Sequence, residues 1–271
     1  MQNSKTAKYL FIGGGNMAKA MIKGMQNNLS LYISVIERNI DMHHELINMQ
    51  CKAFTNIQQC SINEFDCIIL AVKPQDSIKI LQELNLILSN KNTLIVSIMA
   101  GINTKFIKKY INNPCVRAMP NTPILIAKGI TALFSENLNN EYKELIENIF
   151  KNSSKLHYLS NETDMHAVTA LSGSGPAYTF YMLNYLTKVG EELGLKQELS
   201  KDLSAYTFLG ASEMAIQSKL SLEQLQQNVM SKGGTTQAAI NSFDNDKLFD
   251  ALQNGVKKAY ARSIELEKLF E

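Results

Sequence analysis

From Lys8 to about Ser160, short apolar runs alternate with segments whose apolar residues return at helical spacing. The runs are Tyr9 to Ile12, Tyr32 to Ile36, Cys67 to Val72, Leu94 to Ile98, Val116 to Met119, Ile130 to Phe134 and Leu156 to Leu159. Strands alternating with helices predict a mostly parallel sheet. Past residue 160 the period changes: Tyr178, Tyr181, Met182, Tyr185, Leu186, Val189 and Leu193 recur as on one helix, with Gly194 placed to end it. Leu199 to Lys219, Leu222 to Met230, Thr236 to Phe243 and Leu248 to Leu269 continue as helices. The chain is therefore expected to hold an α/β domain over 1–160 and an all-α domain over 161–271, whose apolar faces call for a second subunit to bury them.

Composition changes this picture little. At 271 residues, 45% hydrophobic and 19% charged, the chain is ordinary for two globular domains. Its 27 basic and 25 acidic residues leave a net charge of +2, no excess with which to hold a nucleic-acid backbone or an anionic membrane. No apolar run reaches the ~18 residues that a membrane span needs, and the N-terminal stretch lacks the pattern of a secretory leader. A cytoplasmic location is expected. Cys51, Cys60, Cys67 and Cys115 form no CxxC pair and read as reduced thiols. In that setting the Asn-x-Ser/Thr triplets at Asn28, Asn152 and Asn161 are coincidental.

The first apolar run leads straight into Gly13, Gly14, Gly15, Asn16, Met17 and Ala18, a G-x-G-x-x-A pattern between a strand and the helix Met17 to Met25. Gly13 permits the tight turn, Gly15 lets a pyrophosphate approach the backbone, and Ala18 lets helix and strand pack closely. The helix start then offers free N–H groups to phosphate. This marks a Rossmann domain binding NADPH or NADH. The second strand ends at Glu37, where a carboxylate bonds ribose hydroxyls and repels a 2′-phosphate. Arg38 follows and attracts that phosphate. The two leave the choice of cofactor open and predict weak discrimination. Ala71, Val72, Lys73 and Pro74 follow another strand, as do Ala100 and Gly101, and Lys73 is given a minor part in screening the phosphates.

Three further stretches are unusual for connectors. RAMPNTP (Arg117 to Pro123) stiffens a loop around Asn121 with two prolines, and LSGSGPAY (Leu171 to Tyr178) opens a long helix with Pro176 near its start. In SKGGTTQAAI (Ser231 to Ile240), Gly233, Gly234, Thr235 and Thr236 present successive N–H groups ahead of a helix, a nest suited to a carboxylate.

Taken in order, GGGNMA, AVKP, SIMAG, RAMPNTP, LSGSGPAY and SKGGTT resemble the pyrroline-5-carboxylate reductase family over nearly the whole chain. The resemblance implies hydride transfer from a reduced nicotinamide to the C=N carbon of 1-pyrroline-5-carboxylate, giving L-proline in the last step of proline biosynthesis. It also implies a C-terminal dimerisation domain and a homo-oligomer built from dimers. By motif, Gly13, Gly15, Asn16, Met17, Ala71 to Pro74, Ala100 and Gly101 fall at the cofactor, to which Asn121 is added. Ser231, Gly233, Gly234, Thr235 and Thr236 fall at the substrate. Thr236 is the candidate catalytic residue, its hydroxyl near the imine nitrogen, with a helix N-cap as its competing role. Two departures stand out: Lys232 replaces the family's usual proline, and Glu37 with Arg38 replace a small polar residue.

The reaction asks little of side chains, because a protonated imine is already electrophilic. His43, His44, His157 and His166 accordingly form no metal-binding spacing, and His166 reads as structural. The alternatives are another two-domain reductase of the β-hydroxyacid dehydrogenase type, which would place a catalytic lysine in a helix of the second domain, and a non-catalytic dinucleotide-binding regulator, which would lack the substrate loop.

Overall fold

A computed structural model describes residues 6–26 and 31–270; the triplet at Asn28 lies outside them. Eight strands form one sheet: β1 (Ala7–Ile12), β2 (Leu31–Ile36), β3 (Lys52–Phe54), β4 (Cys67–Leu70), β5 (Leu94–Ser97), β6 (Cys115–Met119), β7 (Gly129–Phe134) and β8 (Ser154–Tyr158). Their order is β3-β2-β1-β4-β5-β6-β7-β8. The first six are parallel. β7 then runs antiparallel to β6, and β8 follows β7, so the runs beginning at Ile130 and Leu156 oppose the rest of the sheet. β3 escapes a pattern search because it is three residues long and none of them is buried. Val72 and Ile98, counted with their strands from sequence, lie just beyond the last paired residues, Leu70 and Ser97.

Residues of each central strand alternate between two cores, as the period of a strand dictates. Tyr9 and Phe11 of β1 face one core with α1 (Asn16–Met25) and α5 (Asn140–Phe150), which contribute Ala18, Met21, Ile22, Ile146 and Phe150. Leu10 and Ile12 face the other with α3 (Ser77–Ile87) and α4 (Thr104–Lys108), through Leu81, Leu84, Phe106 and Ile107. A short helix α2 (His43–Asn48) adds Leu46 to the first core. Each fully buried side chain of this size stabilises by roughly 1.5–3 kcal/mol. Both sheet faces are thus covered, which leaves the carboxyl edge as the place for a ligand.

The chain then continues through α6 (Asp164–Val168), a wide turn at Thr169–Gly173, and five helices: α7 (Gly175–Glu192), α8 (Gln197–Gln217), α9 (Leu222–Asn228), α10 (Thr235–Asn245) and α11 (Leu248–Lys268). In the wide turn the Ser174 N–H donates to the Thr169 carbonyl, five residues back, at 2.9 Å. Gly194 takes a left-handed conformation after α7 (φ +93°), with its N–H bonded back to Glu191. The chain divides into two compact units. The first ends at Ser174 and takes in the chain again from Ala259; the second is Gly175–Lys258. The last turns of α11 and the residues just after it join the first unit by specific packing: the Phe270 ring meets that of Phe106 edge-on at 5.8 Å, and Gly101 (φ +74°) lets the backbone of Leu266 and Glu267 lie against it, where a Cβ would come within 3.2 Å. Among the described residues, no helix is long and apolar enough to cross a membrane.

Candidate active site

At the carboxyl edge of β1, β2 and β4 the glycine turn is tied to both neighbouring strands. Gly13 donates its N–H to the Ile36 carbonyl and Ala71 donates to that of Ile12, each at 2.9 Å. Gly13 has φ +102°, and a Cβ there would sit 2.6 Å from the Ala71 carbonyl oxygen, so no other residue fits. Gly15 precedes α1 with no side chain capping the helix, and a Cβ on it would meet nothing within 4 Å. Its Cα thus faces open space beside the free N–H groups of the helix start, a cradle suited to a pyrophosphate.

A cleft of about 490 Å³ opens here, lined by Gly13, Gly15, Glu37, Arg38, Ala71, Val72 and Lys73. Asn16 and Met17 begin α1, and Ala18 is buried against the strand, where it permits close packing. Pro74 starts a tight turn after Lys73. The cleft is also lined by Thr55 to Gln58 and by Asp76, Lys79, Ile80 and Glu83. Sequence reasoning passed over these residues because β3, which leads to Thr55, gave no pattern. The signal available for them was their position just past a strand's carboxyl end and in the first turns of the next helix.

Asn16, Met17, Ala18 and Pro74 adjoin the cleft in sequence but are not part of its lining, and the remaining cofactor candidates lie outside it as well. Ala100 packs against a small core of Met119, Ala132 and Met165, and Gly101 seats α11. Asn121 is buried, accepts from the Ile130 N–H at 3.0 Å and donates to the Ser172 hydroxyl at 3.3 Å. The RAMPNTP and LSGSG stretches therefore meet within the first unit. Beside them, Arg117 is only 1% exposed and donates to Glu267 at 2.7 Å and to Glu162 at 3.3 Å. Glu162 also accepts from the backbone N–H and hydroxyl of Thr104. His166 bonds the Ser263 hydroxyl at 3.0 Å through Nδ1 and lies 3.6 Å from Glu267 through Nε2. This buried ionic group fastens the end of α11, a role that no local motif announced.

In the second unit, the stretch Ser231 to Thr236 ends at the start of α10 and corrects two expectations. The N–H groups of Gly233 and Gly234 are already bonded, to the Gln237 side chain at 2.7 Å and the Ser231 carbonyl at 3.0 Å, so the nest is narrower than the sequence suggested. Gly234 is the N-cap residue, and no side chain caps the helix. Thr236 is the second helical residue and not its cap. The N–H groups of Thr235 and Thr236 open the helix and have no intrahelical acceptor.

Residues 162–266 match a family model described as pyrroline-5-carboxylate reductase dimerisation, and residues 8–101 match one described as NADP oxidoreductase coenzyme F420-dependent. Pyrroline-5-carboxylate reductase from Haemophilus influenzae is 34% identical over 266 residues, covering 96% of this chain and 97% of its own. The chain belongs to the pyrroline-5-carboxylate reductase family. A solved pyrroline-5-carboxylate reductase from Coxiella burnetii superposes with a TM-score of 0.88 at 35% identity, covering 96% of this chain and 98% of that one. The Plasmodium falciparum pyrroline carboxylate reductase, solved with NADP bound, gives a TM-score of 0.84 at 29% identity over 97% and 99% of the two chains. The family's dimerisation model begins at residue 162, whereas 162–174 and 259–266 pack with the sheet unit. Homology and compactness thus draw different boundaries.

Proposed function

We propose that the chain reduces 1-pyrroline-5-carboxylate to L-proline with NADH or NADPH, as a cytoplasmic homo-oligomer built from dimers. The observation that carries this is the near-complete coverage, at about one third identity, of reductases of that name, and it disfavours a β-hydroxyacid dehydrogenase or a regulator. Residues 1–160 serve the cofactor and 161–271 the substrate and dimer contact. Gly13, Gly15 and the start of α1 hold the pyrophosphate, flanked by Ala71, Val72, Lys73 and Pro74, and Ala100, Gly101 and Asn121 shape the nicotinamide end. When bound, the reduced nicotinamide supplies the hydride. The N–H groups of Thr235 and Thr236 hold the substrate carboxylate, with Ser231 and the glycine pair shaping the loop. The Thr236 hydroxyl orients the imine nitrogen. The helical faces left exposed in the second unit are covered by a second copy. Oxidation of NADH or NADPH by the purified protein, followed with and without pyrroline-5-carboxylate and with L-proline identified as product, tests the reading. Cofactor oxidation that does not depend on this imine rejects it.

A further inference from the structure

Resting on the assignment of the β1–β2–β4 cleft to a dinucleotide, the side chains at its β2 end decide which one. Glu37 is not a solvated strand end. One carboxylate oxygen accepts from the Gly14 N–H at 2.8 Å and the other from the Asn39 N–H at 2.9 Å, so its charge is fixed against the glycine turn at the rim of the cleft. Each oxygen keeps a lone pair with which to accept from a hydroxyl donor. A vicinal diol suits that arrangement, and a phosphate dianion, which brings only acceptors and like charge, does not.

Arg38 is the group that would favour the phosphate, and its guanidinium is paired at 3.1 Å with Asp76, a carboxylate of the same cleft lining. The charged residues lining the cleft are Glu37, Arg38, Lys73, Asp76, Lys79 and Glu83, three of each sign. Lys79 lies 4.0 Å from Glu83. Of the three cations only Lys73 has no carboxylate within bridging distance among the described residues, and it follows β4, not β2. The cleft therefore has no excess positive charge at the strand end where a 2′-phosphate would have to be held. We infer that Glu37 makes this protein selective for NADH over NADPH, with Arg38 held out of the selection by Asp76.

Titration calorimetry of the purified protein with NADH and NADPH, without substrate, tests this separately from turnover. The expected result is a dissociation constant for NADH at least ~10-fold below that for NADPH, as the loss of one good charge-assisted contact and its replacement by repulsion imply. Glu37→Gln keeps an acceptor for Gly14 while removing the charge, and Glu37→Ser removes both. Each should narrow the ratio to within about threefold, chiefly by tightening NADPH. Arg38→Ala should leave the wild-type ratio unchanged. Equal or tighter binding of NADPH by the wild type overturns the inference, as does an unaltered ratio in Glu37→Gln. Binding of neither dinucleotide overturns the cofactor reading itself. Binding of both without imine-dependent turnover rejects only the proposed reaction.

Discussion

The two units are built on opposite economies of apolar surface. Every buried apolar side chain described lies between Tyr9 and Ala170, whereas Phe180, Tyr181, Tyr206, Met214 and Ile216 of the second unit are each at least 60% exposed. Ser200 is the sole residue of Gly175–Lys258 described as buried, and its hydroxyl donates to the Thr187 carbonyl at 2.6 Å where α8 meets α7. A parallel sheet with helices on both faces closes its own core. A pair of long helices with apolar residues all round cannot, and needs another surface to remove them from water. The difference teaches that the first unit closes its core within one chain, while the second leaves apolar faces that the proposed second copy would cover.

The strongest way to break that contrast is to charge the helical face. Leu186→Lys with Val189→Lys on α7 should yield a monomer in analytical ultracentrifugation and lower activity by more than about tenfold, since such assemblies often lack a stable lone subunit. A dimeric, fully active variant would mean that these faces belong to water. Within the first unit, Arg117→Ala strands Glu162 and Glu267 in a mostly dry site and should cost ~3–5 kcal/mol, read as a melting point lower by roughly 10 °C. Arg117→Ala combined with Glu162→Gln and Glu267→Gln should recover part of that loss. An unchanged melting point for the single variant would show that α11 is fastened by its apolar contacts alone.

Smaller effects sharpen the comparison at the proposed reaction site. Because Gly234 and not Thr236 caps α10, Thr236→Val should lower kcat/KM by roughly tenfold while hardly moving the melting temperature. A drop in stability of ~1 kcal/mol with full activity would instead mark it as structural. The smallest effect concerns the four thiols, all buried. Burial pushes Cys51 and Cys60 up from 9.0 to about 11 and Cys115 to about 12, and holds Cys67 higher still. An acid whose folded pKa is raised stabilises fully below its unfolded value, and that contribution drains away as pH climbs from about 9 towards 11. The native protein should therefore react slowly with a thiol reagent at pH 8, and urea midpoints should fall above pH 9. Rapid labelling of the native thiols would contradict their burial.

The fold was legible where the residue pattern is strong and local. β1 and β4 appear as unbroken apolar runs, and β2 as one interrupted only by Ser34, because a doubly covered sheet buries both faces of a strand. The glycine turn is legible because Gly13 meets a steric demand that side chains cannot satisfy. β3 was not, being short and only partly buried, and with it went Thr55 to Gln58 along the cleft. The reversal of β7 was also hidden, since a strand's apolar pattern does not encode its direction. At the proposed substrate stretch, composition singled out Ser231 to Thr236 but not which N–H groups remain available, because the Gln237 side chain and the Ser231 carbonyl claim two of them.

Apart from β3, the sequence by itself determined the order of strands and helices, the glycine turn and the family, because each of these is written in local spacing and in residues with a unique steric or chemical property. Tertiary structure decided what depends on residues far apart in the chain. It brought Arg117 to Glu267 across 150 positions and set Asp76 against Arg38. It also folded Glu37 back onto Gly14. The balance of charge at the cleft follows from the last two of these contacts, and Coulomb interactions are fixed by separation in space, on which neighbouring letters in a sequence are silent.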